Sequence, residues 1–186
     1  VRSRRQRQMC IRDRFPIVLL GERENPTSAD HVSMANRDGA RAAVEHLVAQ
    51  GARRIAFIGE PEPEEQGMQS LRLDGCREAL EQAGHHLEPE LILRAGENTM
   101  ESGRQAGTRL GEAILRARQT GVPAPDGAFA LTDSVAFGVL RGLADCGLSV
   151  PEDVLLVGFD DLPESALTVP SLTSVSPDHA WTARRA

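Results

Sequence analysis

The sequence predicts an α/β fold in which a parallel β-sheet is flanked by helices. The first observation is a set of short apolar runs without polar alternation, which is typical of strands buried on both faces. The second is that an amphipathic stretch separates each run from the next, giving the order β-α-β-α-β-α-β-α-β. Because parallel strands need crossover connections, helices should cover both faces of the sheet through right-handed crossovers.

The first elements follow these patterns closely. "FPIVLL" (15–20) is a short strand that ends at Gly21, and "RRIAFIG" (53–59) is the next apolar run. Between them, "NRDGARAAVEHLVAQG" (36–51) forms a helix with a glycine at its C-terminal end. The residues predicted to face inward on this helix are Ala40, Ala43, Val44, Leu47 and Val48.

The second half of the chain repeats this alternation. The predicted helices are "LRLDGCREALEQAG" (71–84), "SGRQAGTRLGEAILRARQTG" (102–121) and "DSVAFGVLRGLADCG" (133–147). The predicted strands are "ELILRAG" (90–96), "GAFALT" (127–132) and "VLLVGF" (154–159). The helical period places Ala83 inward on the first of these helices, and it places Ala136, Leu140, Leu143 and Ala144 inward on the last.

Charge is distributed unevenly along the chain. Residues 1–14 hold six Arg and one Asp, whereas the rest of the chain is strongly acidic. We interpret 1–14 as a disordered or non-native basic leader, with a nucleic-acid-binding arm as the alternative. An acidic body is a poor nonspecific binder of nucleic acid, because phosphate contacts require positive surfaces. The three cysteines lack metal or redox spacing, no apolar run is long enough for a membrane helix, and we expect a cytoplasmic protein.

Polar residues follow the predicted strands, at the edge where parallel sheets bind ligands. Together they predict a site beyond the carboxyl ends of the strands. These residues are Glu22 and Arg23, the loop 60–71, Glu97 and Asn98, Thr132 and Asp133, and Asp160 and Asp161.

Motifs for catalysis and cofactors are missing from the sequence. It contains no Lys for a Walker loop, no G-x-G-x-x-G after a strand, no G-x-S-x-G and no histidine pair at zinc spacing. We therefore predict no catalytic residue, no metal, no cofactor and no enzyme activity. Asp160 and Asp161 could form an acid–base pair, but without a nucleophile or metal we favour binding of a neutral ligand.

Three side chains near the predicted site have a structural alternative. Asp133 begins a helix and is expected to cap it, which makes Thr132 the better ligand candidate. Arg72 could anchor ligand oxygens, or it could be a solvated residue paired with Glu64 or Glu65. Asp161 is expected to fix the following turn "DLPES" through its own side chain.

Several segments together resemble the lactose-repressor (LacI/GalR) family of bacterial transcription regulators. They occur in the family's order over about 15–175, and the last of them resembles the family's signature most closely. They are "NRDGARAAVEHLVAQGARRIAFIG", "SLRLDGCREALEQAG", "ESGRQAG", "FALTDSVAFGVLRGLADCGLSVPEDV" and "VPEDVLLVGFDDLPESALTVPSLTSV".

The resemblance implies a ligand site, and this sequence departs from the family pattern at some positions of that site. The effector-binding Arg falls on Arg72 and the ligand carboxylate on Asp160. Thr132 stands where the family often has Asn, and Asn98 where it often has a stacking aromatic residue. Met68 stands where Ser or Thr is frequent, and Gly21 where some relatives have an acidic side chain.

The resemblance also implies a periplasmic-binding-protein-like (type I) fold, represented mostly by its C-terminal subdomain. It assigns 15–31 to the tail of the N-terminal subdomain, 32–172 to the C-terminal effector-binding subdomain and 173–186 to the start of the crossover back. The intact protein is then expected to be a homodimer that binds a small-molecule effector, expected to be a sugar. It would contact operator DNA only through an N-terminal head outside this chain. A periplasmic sugar-binding protein of a transporter is the alternative.

Overall fold

A computed structural model describes residues 18–21, 30–59 and 67–185. The basic leader, the start of the first predicted strand and the acidic loop 60–66 lie outside the described residues. Two compact units are present: Ala35–Pro177 forms one, and the described parts of Val1–Met34 and Asp178–Ala186 form the other.

The smaller unit contains two strands and a short helix. Strands β1 (Val18–Leu20) and β2 (Asp30–Val32) pair in parallel, and helix α5 spans His179–Arg185. The carboxylate of Asp178 accepts a hydrogen bond from the backbone N–H of Trp181 at 2.9 Å, which caps the start of that helix. Neither β2 nor this helix is among the elements predicted from the sequence.

The larger unit is a five-stranded sheet with helices on both faces. Its strands stand in the order β4-β3-β5-β6-β7, and every neighbouring pair is parallel, so the predicted fold class is confirmed. Their bounds are β3 Ile55–Gly59, β4 Ile92–Arg94, β5 Gly127–Ala130, β6 Leu155–Phe159 and β7 Thr173–Val175. The order reverses between β3 and β5, which makes the carboxyl ends of those strands the topological switch point.

Four helices of this unit pack in pairs. Helices α1 (Asn36–Ala49) and α2 (Met68–Gln82) contact each other, as do α3 (Met100–Thr120) and α4 (Asp133–Asp145). Apolar residues of α3 and α4 share one core cluster with Ala56, Ala128 and Leu156 of the sheet. Phe159, whose side chain alternates to the other face, packs against Gly39 of α1, so each helix pair covers its own face.

The contact between α3 and α4 depends on glycine. A Cβ added at Gly138 would lie 2.0 Å from the carbonyl oxygen of Met100, and one added at Gly103 would lie 2.2 Å from that of Val135. At Gly107 and Gly142 an added Cβ would lie 2.6 and 2.2 Å from facing backbone oxygens. The two helices therefore touch backbone to backbone, and any larger side chain at these positions would force them apart.

Helix ends and helix faces differ in places from the sequence prediction. Gly51 and Gly84 adopt φ values of +101° and +76° just after their helices, as cap glycines do. Ala83 and Ala144 are exposed, so their predicted inward orientation is wrong. On α4 the buried stripe instead includes Val135 and Val139, because helix α3 covers that side. Short 3₁₀ turns at Pro89–Leu91 and Pro163–Ala166, and strand β7, were also not predicted.

Candidate functional site

The larger unit brings an arginine and an aspartate together beyond the carboxyl ends of its strands. Arg72 lies in the second turn of α2, and Asp160 follows β6 directly. The Nη2 atom of Arg72 is 3.4 Å from Oδ1 of Asp160, although the two residues are 88 positions apart in the chain. The fold thus joins two of the predicted site residues in one ion pair.

Arg72 is buried, with 1% of its surface exposed, so the alternative of a solvated arginine is wrong. Its Nε donates a 2.8 Å hydrogen bond to Oδ1 of Asn36, and its Nη1 donates to the carbonyl oxygen of Leu131. Its guanidinium carbon lies 3.5 Å from the centroid of the Phe159 ring. Several groups from three different elements therefore fix the orientation of this side chain.

Asp160 presents its carboxylate from a turn with an uncommon backbone. Its φ is +110° and that of Asp161 is +53°, a region that glycine usually occupies. The N–H of Asp160 donates to the carbonyl oxygen of Val175 at 3.0 Å. The Asp160 side chain is 24% exposed, so it borders on solvent and is accessible to a ligand.

Asp133 has a different role from the predicted helix cap. It is fully buried, and its Oδ2 accepts hydrogen bonds from the N–H of Leu162 and the hydroxyl of Ser165, both at 2.8 Å. Its Oδ1 accepts from the hydroxyl of Ser174 at 2.6 Å. The carboxylate thus ties α4 to the segment that follows Asp160.

The cap of α4 is Thr132, whose hydroxyl accepts a hydrogen bond from the N–H of Val135 at 3.3 Å. The assignment of the cap to Asp133 is therefore wrong by one residue. Thr132 adopts the extended backbone of an N-cap residue, and Asp133 is already helical, so its side chain is directed elsewhere.

The turn "DLPES" also differs from its prediction. The side chain of Asp161 makes no hydrogen bond within the described part of the chain, whereas its N–H donates to Oγ of Ser174 at 3.0 Å. The carboxylate that fixes this turn is Asp133, through the N–H of Leu162. A carboxylate 29 residues away has replaced the local one expected from the sequence.

Two other predicted ligand residues lie near the same sheet edge but not in the Arg72 ion pair. Asn98 is in the loop between β4 and α3, and its Oδ1 is buried without a hydrogen-bond partner. Met68 is the first residue of α2, one turn before Arg72, and is partly buried. Gly21 belongs to the smaller unit and has a φ of +85°.

Some residues of the site were missed by the sequence analysis. Asn36 was taken only as the start of a helix, and Phe159 only as the end of a strand. Phe159 precedes Asp160, and strand alternation places its side chain on the face covered by α1 and α2. That alternation could have indicated that Phe159 lies on the same face as Arg72. Nothing in the sequence indicated Asn36 or Ser174 as partners, because their contacts depend on how the crossovers close.

A recess of about 500 Å³ lies elsewhere, near the amino ends of β3, β4 and β5. Arg54 lines it and pairs with Glu88. The hydrogen bond from Arg54 holds the pKa of the Glu88 carboxyl below its ordinary value. This recess is at the opposite end of the sheet from Asp160, so it is separate from the Arg72–Asp160 pair.

In 18–21, 30–59 and 67–185 no group of three His, Cys, Asp or Glu side chains is placed to hold a metal ion. Within the same residues, no helix combines the length and apolar character needed to cross a bilayer.

Comparison with known proteins shows the family of this chain. A model of the periplasmic binding protein-like domain matches residues 44–186. The chain belongs to the periplasmic binding protein-like domain family. The match includes both Arg72 and Asp160, the two ends of the ion pair.

Relatives within this family are transcription regulators. The HTH-type transcriptional regulator GntR of Pseudomonas aeruginosa is 31% identical over 185 residues, which is 100% of this chain and 51% of that protein. The solved structure of a regulatory protein of LacI family from Chloroflexus aggregans is 31% identical, with a TM-score of 0.81 over 97% of this chain and 61% of that one.

A third similar protein also has a solved structure. It is a sugar-binding transcriptional regulator of the LacI family from Escherichia coli, complexed with phosphate. It is 28% identical, with a TM-score of 0.73 over 96% of this chain and 61% of that one. The resemblance to LacI-type regulators is thus confirmed. This periplasmic binding protein-like chain spans about half the length of the curated relative.

Proposed function

We propose that this chain is the effector-binding part of a bacterial LacI-type transcription regulator. The observation that carries the proposal is the buried Arg72 paired with the accessible Asp160 at the carboxyl edge of the sheet. A guanidinium that donates hydrogen bonds beside a carboxylate that accepts them suits a ligand with several hydroxyl groups. The effector is therefore expected to be a sugar, and the similarity to the sugar-binding regulator of Escherichia coli supports this class.

The remaining predicted ligand residues belong to the same proposal. Thr132, Asn98 and Met68 follow β5, β4 and the loop after β3, so they share the sheet edge with Asp160. Thr132 is engaged as a helix cap, and we assign it a peripheral contact. Asn98 offers a polar group where the resemblance leads one to expect an aromatic ring.

Domain organisation and assembly are part of the proposal. We assign 32–172 to the C-terminal effector-binding subdomain, 15–31 to the tail of the N-terminal one and 173–186 to the crossover back. Operator DNA would be bound by a head outside this chain, in a cytoplasmic homodimer without enzyme activity. Support for self-association comes from Leu167 and Val169, which are 79% and 96% exposed and lie in one short segment.

Such a regulator works only if the effector binds two conformations with different affinity. A ligand held equally well in both would shift no equilibrium, however tightly it bound. Arg72 and Asp160 would hold the effector from the C-terminal subdomain, and its binding would favour one of the two conformations. The change would then alter the spacing of the paired DNA-binding heads.

The experiment begins with a panel of mono- and disaccharides screened by thermal shift, followed by calorimetry on the sugar that stabilises the chain most. Asp160→Asn and Arg72→Lys should each weaken binding of that sugar at least tenfold. Arg77→Ala is the matched control, because Arg77 is on the same helix but half-exposed. In the full-length regulator both site variants should keep operator binding and lose the response to the sugar. Unchanged affinity in both variants would refute the site.

A further inference from the structure

The turn that carries Asp160 has a backbone which its own residues do not favour. Two consecutive residues, Asp160 and Asp161, have φ values of +110° and +53°, and neither is glycine. An L-residue pays a steric cost in this region, since its Cβ approaches the backbone. Such conformations persist only where surrounding contacts determine them.

The contact that holds the turn is the hydroxyl of Ser174 on β7. It accepts the 3.0 Å hydrogen bond from the N–H of Asp161, and it donates its proton to Oδ1 of Asp133 at 2.6 Å. One side chain therefore connects the strained residue to a fully buried carboxylate. Donating to Asp133 leaves the lone pairs of the hydroxyl directed toward the Asp161 N–H.

The position of Asp133 is itself fixed. Its other oxygen accepts from Leu162 and Ser165, so all three donors come from the segment that follows β6. Gly158 provides the space for this carboxylate, because a Cβ at that position would lie 2.2 Å from Oδ1. A flexible surface carboxylate could move away from such a Cβ, but one held by three hydrogen bonds has no alternative position.

We infer that Asp133 and Ser174 are positioning residues for effector binding, because they hold the 160–161 turn in the conformation that presents Asp160 to Arg72. Neither residue needs to touch the ligand. This inference rests on the proposed function insofar as Asp160 is a ligand residue. The hydrogen-bonded chain from Asp133 through Ser174 to the Asp161 N–H is called the clamp below.

The clamp can be tested without any effector, by crystallography and by the intraresidue HN–Hα NOE, which is strong at positive φ. In Ser174→Ala, Asp161 should leave positive φ, and the Arg72–Asp160 ion pair should open beyond hydrogen-bond reach. Ser174→Thr keeps a hydroxyl and should preserve both features. Ser174→Ala combined with Asp161→Gly should regain the turn and the ion pair, because glycine adopts this φ without a clamp.

The double variant separates a positioning role from a general loss of stability, since a glycine in a turn would not rescue a damaged core. If Ser174→Ala retains the positive φ and the ion pair, the inference is overturned. A second measurement uses the unmodified chain, in case Ser174→Ala does not fold. The Asp161 amide should exchange with deuterium far more slowly than that of exposed Glu164, and exchange at the same rate would also overturn the clamp.

These readouts are independent of ligand binding. If no sugar binds, or if Arg72 and Asp160 variants bind it normally, the proposed function fails while the clamp is still judged by its geometry. If the sugar binds and the clamp geometry survives Ser174→Ala, only the positioning role is refuted.

Discussion

The guanidinium carbon of Arg72 lies 3.5 Å from the centroid of the Phe159 ring. Both side chains are buried, and Asp160, the acid that pairs with Arg72, directly follows the ring in the chain. A cation over an aromatic face is stabilised most where water is excluded. Phe159 therefore stabilises the buried guanidinium of Arg72 through its ring face, and Asp160 stabilises it through an ion pair.

Replacing this ring should cost more than an ordinary change of apolar volume. We expect Phe159→Leu to lower the free energy of unfolding by about 2–4 kcal/mol, from lost packing plus a cation–π contribution of up to about 2 kcal/mol. Urea unfolding measures the change. A double-mutant cycle with Arg72→Met should show coupling. Phe129→Leu, also buried but in contact with Phe57, is the control and should show none.

The glycine contact between α3 and α4 predicts a loss of stability on adding one methyl group. Gly138→Ala should lower the free energy of unfolding by about 1–3 kcal/mol, because its Cβ would lie 2.0 Å from a backbone oxygen. This loss would occur despite the gain in helix propensity of about 1 kcal/mol. Gly67→Ala, where no atom lies within 4 Å, should cost only the preference of this α2 N-cap for glycine over alanine, about 0.5 kcal/mol. Equal effects of the two substitutions would contradict the close backbone contact between α3 and α4.

The Arg54–Glu88 pair predicts a dependence of stability on acid pH. The pKa of Glu88 is lowered chiefly by the hydrogen bond from Arg54. A carboxyl with a lowered folded-state pKa stabilises the fold above its unfolded value of about 4.3. That contribution is lost as the pH falls through the folded pKa.

Glu88→Gln should therefore lower stability at pH 7 and flatten the decline below about pH 4.3. Thermal unfolding from pH 2.5 to 7 measures both effects. Glu152→Gln, at an exposed position outside this pair, is the control and should leave the profile of the unmodified chain nearly unchanged. An identical profile for Glu88→Gln would show that the pair does not contribute.

The cysteines predict selective chemical reactivity. Burial raises the pKa of the Cys76 thiol to about 12, and burial is also the main cause of the raised pKa of Cys146. Because the thiolate is the reactive form, Cys76 should resist iodoacetamide at pH 8 in the folded chain. Cys146 is only partly buried and should react faster. Peptide mass spectrometry on a Cys10→Ser background, with an unfolded control in which both react, measures the two rates.

The sequence predicted the sheet and its helices because burial on both faces leaves a direct pattern of apolar runs and helical stripes. It also placed Arg72 and Asp160 near the carboxyl edge of the sheet, where the structure has them, since the carboxyl ends of parallel strands converge there. Their role in ligand binding stays a prediction. It misplaced the cap of α4 by one residue, because Thr132 and Asp133 are both good cap residues and only the backbone distinguishes them.

Contacts between distant segments left no signal in the sequence. Asn36 reaches Arg72, and Ser174 reaches Asp133, only because the crossovers bring α1 and β7 beside the site. Local patterns also made Asp161 the stabiliser of its own turn, whereas the distant Asp133 does so. Ala144 was assigned inward from helical period alone, which does not reveal the side on which α3 packs.

The backbone contact between α3 and α4 has a mechanical consequence. Where side chains separate two helices, a change of rotamer can accommodate a shift of one helix against the other. Backbone atoms in direct contact cannot adjust in this way. The two helices should therefore move as a single rigid piece. Thr99 and Thr132 cap the N-terminal ends of these helices. The distance between the two N-terminal ends should therefore stay constant. If the proposed effector binds at this edge, we expect it to fit that constant spacing, because the two helices would not separate to accommodate it.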